Sequence, residues 1–199
     1  MIEFDVLLPR VMQYAQAVPE PLAIQHLRDA AIQLCETTRC WRDVYTTTTT
    51  GTDIEVTSVP SYAALYEIEW ARFDGQLLMP VAPTADLIIG EEGVPRNITQ
   101  LTPNTVTLVP FGVGELQMSS YLKPSMDADV IPDFLYSEFG RAIADGALST
   151  LLLIPNQPYS NPQQAMYHAQ RFQAVLDKNF AYNLRGQQRA AKRTKSSFF

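Results

Sequence analysis

An α+β fold is predicted by a hydrophobic period that changes twice along the 199 residues. Residues 1–40 repeat apolar side chains every three to four positions. Residues 41–123 switch to Thr-, Val- and Tyr-rich runs between Gly and Pro turns, and residues 124–184 return to helical spacing. That order predicts a helical bundle formed by the N- and C-terminal helices, a β-rich insert of sandwich or partial-barrel form, and an extended C-terminal tail over residues 185–199. With 46% hydrophobic and 18% charged residues, the chain has the composition of an ordered protein able to bury a real core.

The elements follow in order. Residues 4–14 place Phe4, Leu7, Leu8, Val11 and Met12 at helical spacing before a Pro-rich break. A second helix over residues 21–38 sets Ile24, Leu27, Ala31 and Leu34 in one stripe, with His26 beside it. From Trp41 the runs 41–50 and 53–59 read as strands, and Thr50 to Asp53 as the hairpin turn joining them. The five threonines before that turn are expected at an exposed strand end. Residues 61–65 read as a short helical segment, 66–73 as a half-buried strand, Asp74-Gly75 as a turn, 83–89 as a helical turn and 91–95 as a charged loop. Strands over 104–109 and 114–122, joined through Pro110 to Gly112, complete five or six strands with one short helix.

The C-terminal third is helical again. A helix opened by Pro132 and Asp133 runs to Ile154 with Leu135, Phe139, Ala142, Ile143, Ala147 and Leu151 inward. Its end, residues 148–154, reads as apolar all round and so is expected to be enclosed by neighbours or by a partner subunit. Gly140 and Gly146 each weaken such a helix by about 1 kcal/mol relative to Ala, so close helix contact is expected at both. Asn161 caps the last helix, with Pro162 at its first position and Gln164 in the place of a capping box. Ala165, Ala169, Phe172, Leu176 and Phe180 are expected on its inner face, with His168 beside them.

Charge divides the chain unevenly. Residues 1–177 hold all 21 acids and 9 bases, a balance of −12, whereas residues 178–199 hold the other 6 bases and no acid. Arg185, Arg189, Lys192, Arg193 and Lys195 lead to the aromatic pair Phe198 and Phe199, a composition too poor in apolar side chains to order itself alone. An acidic body gains nothing from a phosphate backbone, so sequence-specific DNA binding by the folded part is not expected.

Catalytic signatures are missing from the sequence. There is no GxSxG elbow, HExxH, Walker loop or GxGxxG, and Phe111 to Gly114 places its glycines between strands. The carboxylate pairs Glu91/Glu92, Asp127/Asp129 and Glu67/Glu69 read as solvated charges, His26 and His168 as packing or surface residues, and Cys35 as a small core residue. Cys35 and Cys40 do not combine with the histidines at metal spacing, so no metal and no cofactor are expected, and no enzyme. The N-terminal segment lacks a basic region, and no apolar stretch reaches the ~18 residues of a span, so neither signal peptide nor membrane partner is expected.

Several passages resemble the head-to-tail adaptor, or connector, proteins of tailed bacteriophages, of podovirus-like portal adaptor type. They are residues 27–42 (LRDAAIQLCETTRCWR), 70–75 (WARFDG), 122–125 (LKPS), 131–136 (IPDFLY), 140–148 (GRAIADGAL) and 159–162 (YSNP), spanning most of the chain in the family's order. The resemblance implies a homo-oligomeric ring, commonly of twelve copies, assembled in the host cytoplasm and residing in the neck of the virion. It implies that the C-terminal tail grips the portal protein, with Phe198 and Phe199 as apolar anchors and the five cations as orienting contacts. The opposite face would receive the tail nozzle or tube, and DNA would pass through the lumen without sequence readout. The tail's own sequence matches least sharply. Three alternatives remain: another neck or tail-completion ring protein, a nucleic-acid-binding module acting through the basic tail, and a hydrolase with His26 or His168 beside an acid in a pocket.

Overall fold

The computed structural model describes residues 1–50, 55–57, 59–83 and 89–180. Along the chain these form β1 (Ile2–Glu3), a 3-10 turn (Phe4–Leu7), α1 (Leu8–Met12), α2 (Glu20–Thr38), β2 (Arg42–Thr49), β3 (Glu55–Thr57), β4 (Ala63–Phe73) and β5 (Gln76–Leu77). They continue with β6 (Met79–Pro80), β7 (Asn97–Thr99), β8 (Thr105–Val109), β9 (Gly114–Pro124), β10 (Val130–Ile131), α3 (Asp133–Leu151) and α4 (Pro162–Asn179). The fold is mixed α+β. It divides into two compact units, one of Met1–Cys40 with the chain from Ile131 onward, the other Trp41–Val130.

In the first unit the helix ends follow local chemistry. Pro19 is extended ahead of α2 and Pro21 sits in its first turn, where a missing N–H removes no hydrogen bond. At the other end Arg39 turns left-handed at φ 51°, and its N–H donates to the Cys35 carbonyl at 2.8 Å. Asp133 occupies the first turn of α3, where the helix dipole favours a negative charge. The Asn161 side chain accepts from the Gln164 N–H at 3.1 Å, and Pro162 opens α4.

Helix α3 is the centre of this unit and packs against α1, α2 and α4. All six residues expected inward on α3 are buried, together with Ala144, Asp145 and Leu148. Gly146 explains how the helices come so close. A Cβ built there would lie 2.8 Å from Ala30 Cβ on α2 and 3.0 Å from the Phe172 ring on α4. At Gly140 a Cβ would meet Leu7 Cδ2 at 3.2 Å. Both glycines therefore mark close helix contact.

Two expectations about the helices are corrected. Phe180 is exposed and so is Ala169; the buried row of α4 is Ala165, His168, Phe172 and Leu176, because the histidine's partner lies on α3 and draws that face inward. The end of α3 is not apolar on every side either. Leu148, Leu151 and Leu152 are buried, but Leu153 is exposed, and the Ser149 and Thr150 hydroxyls donate to the carbonyls of Gly146 and Ala147.

The second unit contains two four-stranded sheets, ordered β2-β9-β4-β5 and β3-β8-β7-β6. Pairing is antiparallel except between β6 and β7. Ala71 and Phe73 on β4 and Leu116 and Met118 on β9 share one core with Ile98 on β7 and Val106 and Leu108 on β8, so side chains from both sheets meet across it. Asp74 and Gly75, at φ 46° and 80°, make the two-residue turn between β4 and β5, a conformation that glycine adopts without strain.

Here the expected hairpin over 41–59 is corrected. β2 pairs with β9 and β3 with β8, in different sheets. β9 is buried along most of its length and needs neighbours on both edges, whereas β2 alternates in exposure and suits an edge. The expected turn at Thr50 to Asp53 and the helical turn at 83–89 lie largely outside the described residues. Residues 61–65 are not helical. Ala63, Ala64 and Leu65 pair with Pro124, Lys123 and Leu122, and this ladder overrides the local helix preference. β9 thus runs to Pro124, two residues past the expected end at Leu122. Thr49 is buried rather than exposed, its hydroxyl donating to the Gly112 carbonyl at 2.7 Å. β7 carries no alternation long enough to be read from sequence.

The Gly146 contact makes a direct prediction. Gly146→Val should lower stability by about 2 kcal/mol, measured by urea unfolding, since overpacking a tight interface typically costs ~1–3 kcal/mol. Gly146→Ala should be destabilising despite its better helix propensity, and part of that loss should be recovered when Ala30→Gly is added. Additive effects of the two changes would show that the Ala30 contact is not the constraint.

Candidate functional site

The carboxylates that sequence spacing singled out do not gather into a site. Glu91 and Glu92 are exposed, as are Asp127 and Asp129. Glu69 departs from the expectation of a solvated charge. It is left over at the second of two register shifts between β4 and β9; its carboxylate pairs with the Arg42 guanidinium, Nε to Oε2 2.7 Å, and accepts from the Ser119 hydroxyl at 2.7 Å. Those contacts tie β2, β9 and β4 together across one sheet.

The residues that do converge are on α1 and the turn that follows it, on α3 and on α4. Asp145 lies on the buried face of α3, and His168 fills a buried position on α4. Asp145 Oδ1 accepts from His168 Nδ1 at 2.8 Å, and Asp145 Oδ2 lies 3.1 Å from Arg171 NH2. Because a carboxylate only accepts, Nδ1 carries the proton. The opposite nitrogen, Nε2, has no hydrogen-bond partner among the described residues. The Tyr14 ring packs edge-on to the imidazole at a centroid distance of 4.8 Å and the Tyr167 ring at 5.4 Å. Arg171 also stacks over Tyr167, 5.4 Å from its centroid.

An open pocket of about 320 Å³ adjoins this network. Arg10, Gln13 and Tyr14 form one wall; Arg141, Asp145 and Leu148 of α3 and Arg171 of α4 form the others. Arg141 precedes Asp145 by one helical turn, so both side chains reach the same mouth. Within the acidic body, three guanidinium groups around one carboxylate stand out.

This geometry meets one condition set for a hydrolase, a histidine beside an acid next to a pocket, but it lacks the rest. An orienting carboxylate on Nδ1 is half of a catalytic triad; the other half is a hydroxyl or thiol on Nε2. None reaches it among the described residues, and the imidazole is 1% exposed. The arrangement can hold α3 to α4, and it can present positive charge at the pocket. The cysteines add no nucleophile. A hydrogen bond from Cys40, with burial, pushes the Cys35 thiol well above its ordinary range, which keeps it neutral.

His26 packs at the α2–α3 contact, its Nδ1 2.7 Å from the Thr150 hydroxyl. Burial lowers its pKa below 6.5, partly opposed by Asp29. No group of three or more His, Cys, Asp or Glu is placed to hold a metal ion among the described residues. None of the described helices is long and apolar enough to cross a membrane.

Of the residues assigned to the docking tail, Arg185, Arg189, Lys192, Arg193, Lys195, Phe198 and Phe199 all lie outside the described residues. The Asp145, His168 and Arg171 group was missed in the sequence, although it carries a signal: a lone acid inside the apolar run Ala142 to Leu148 must find a partner once buried. The chain matches no protein-family model and no curated protein.

Two outcomes are expected from this site. Asp145→Ala should destabilise the protein by about 3 kcal/mol in urea unfolding, because it leaves Arg171 and the buried His168 without their acceptor. His26 has a folded-state pKa below its unfolded value, so its contribution to stability is complete above about pH 6.5 and declines as pH falls below that. His26→Gln should therefore show a shallower loss of stability than the parent between about pH 7 and 5; identical slopes would remove this linkage.

Proposed function

We propose that this chain is a structural protein of a tailed-bacteriophage virion, a head-to-tail adaptor whose copies close into a ring between the portal and the tail. The observation that carries the reading is the set of passages resembling that family, at residues 27–42, 70–75, 122–125, 131–136, 140–148 and 159–162, in the family's order. In this reading α1 to α4 are a helical bundle, Trp41–Val130 is an insert borne on it, and residues 185–199 are the arm that grips the portal. The tail nozzle or tube binds the opposite face, DNA passes through the ring unread, and the protein catalyses nothing.

Two features support it. The helical unit is assembled from two separate stretches of chain, Met1–Cys40 and that from Ile131 onward, the division an inserted β unit would produce. A closed ring of identical subunits also needs two different contact faces on each subunit. Large apolar side chains are exposed on both units: Leu77, Met79 and Val113 on the β unit, each at least 65% exposed, and Met166 and Leu153 on the helical unit. The −12 balance of residues 1–177 against the +6 of residues 178–199 fits an acidic lumen along which DNA slides, with the cationic arm turned to protein.

The test is attachment. A chain lacking residues 186–199 should retain the melting temperature of the intact chain and yet fail to co-sediment with portal rings of the same phage. Equal attachment by the shortened and intact chains would refute the docking role of residues 185–199. Light scattering with and without portal, or direct imaging of the complex, reads whether a ring forms.

A further inference from the structure

The pocket between α1, α3 and α4 holds more positive charge than its own residues neutralise. Asp145 is its one carboxylate, and both oxygens are already committed, Oδ1 to His168 and Oδ2 to Arg171. Arg10 lies 5.9 Å from the centroid of the Tyr136 ring, a contact that positions the guanidinium without cancelling its charge. Arg141 has no carboxylate partner among the described residues. Arg10 and Arg141 thus converge on one cavity uncompensated, in a chain region where acids outnumber bases 21 to 9.

We infer that this pocket binds a small organic phosphate, a phosphomonoester whose dianionic head sits between Arg10 and Arg141. Three arginines against one aspartate leave a charge of +2 at the lining, which a phosphate dianion matches and a single carboxylate does not. The planar fork of a guanidinium donates two parallel hydrogen bonds to a phosphate. Gln13 and Tyr14 line the same wall and carry neutral donor groups, and Ala144 and Leu148 are the apolar residues of the lining. A volume of about 320 Å³ exceeds what phosphate alone fills and lies at the lower end of small-ligand pockets, about 300–1,000 Å³. Asp145 acts as a positioning residue, since its bond to Arg171 and the packing of His168 hold one wall of the cavity. The inference does not depend on the adaptor reading, and it stands or falls separately.

Calorimetric titration of the full-length protein at low ionic strength tests it, with phenyl phosphate as probe and inorganic phosphate, benzoate and a short oligothymidylate as comparisons. Saturable binding of phenyl phosphate is expected, tighter than that of inorganic phosphate or benzoate. Arg10→Gln and Arg141→Gln should each weaken it about tenfold or more, the loss expected of one charge-assisted contact. Both side chains are exposed, so the variants should melt like the parent. Arg96→Gln, an exposed arginine of the β unit, should leave binding unchanged. The proposal is overturned by an absence of saturable heat, by equal weakening in Arg96→Gln, or by benzoate or inorganic phosphate binding as tightly as phenyl phosphate. It is also overturned if the oligonucleotide binds through Arg10 and Arg141 while phenyl phosphate does not, which would assign the charge to a nucleic-acid backbone.

Discussion

The helical unit depends on the absence of one methyl group. With hydrogen in place of a side chain at Gly146, α3 lies against Ala30 of α2 and Phe172 of α4 at once, closer than any other residue would permit. That contact fixes the rotation of α3 about its axis, and the rotation fixes where the preceding residue points. Asp145 lies about 100° around the helix from Gly146. Once Gly146 faces its two neighbours, a carboxylate is driven into the interior and must be satisfied there. His168 and Arg171 supply the partners, both from α4 and one helical turn apart. Packing and electrostatics in this unit are therefore one constraint: the glycine sets the spacing of α3 and α4, and the aspartate sets their register.

In the β unit the corresponding organiser is β9. Its residues are buried on both faces along most of its length, so it takes a central place, with β2 on one edge and β4 on the other. Two register shifts along β4 set aside Tyr66 and Glu69. The first is exposed and lies under the Lys123 ammonium; the second turns its carboxylate to Arg42 and Ser119. Irregularity in the ladder thus produces a polar clasp across three strands.

Local signals were legible in the sequence where local chemistry decides the outcome. The α+β class, the prolines that open α2 and α4, the Asn161 cap, the Asp74-Gly75 turn and the two contact glycines all follow from residues within a few positions of one another. Strand partners did not, because β2 and β3 are adjacent in sequence and yet belong to different sheets, a choice made by burial of β8 and β9 far along the chain. Residues 61–65 went astray for the same reason, since Leu65 is extended only because Leu122 is opposite. The site suffered most. Its charged residues come from three helices, and the sequence shows only an acid in an apolar run, a histidine in a helical stripe and scattered arginines. Each is ordinary alone; meaning appears when Asp145 is found to be occupied and Arg10 and Arg141 are not.

The division of the helical unit between two stretches of chain carries a consequence for the order of folding. Helices α2 and α3 must meet across the whole of Trp41–Val130, so their contact closes a long loop. For a flexible chain the entropy of closure grows as the logarithm of length, each doubling adding about 0.6 kcal/mol. A β unit that has already condensed shortens the effective tether over which the Gly146 interface then forms. Synthesis from the N-terminus favours the same sequence of events, because α2 emerges with no partner and waits for the intervening sheets before α3 exists. The β unit would then serve as a folding clamp for helices that it interrupts.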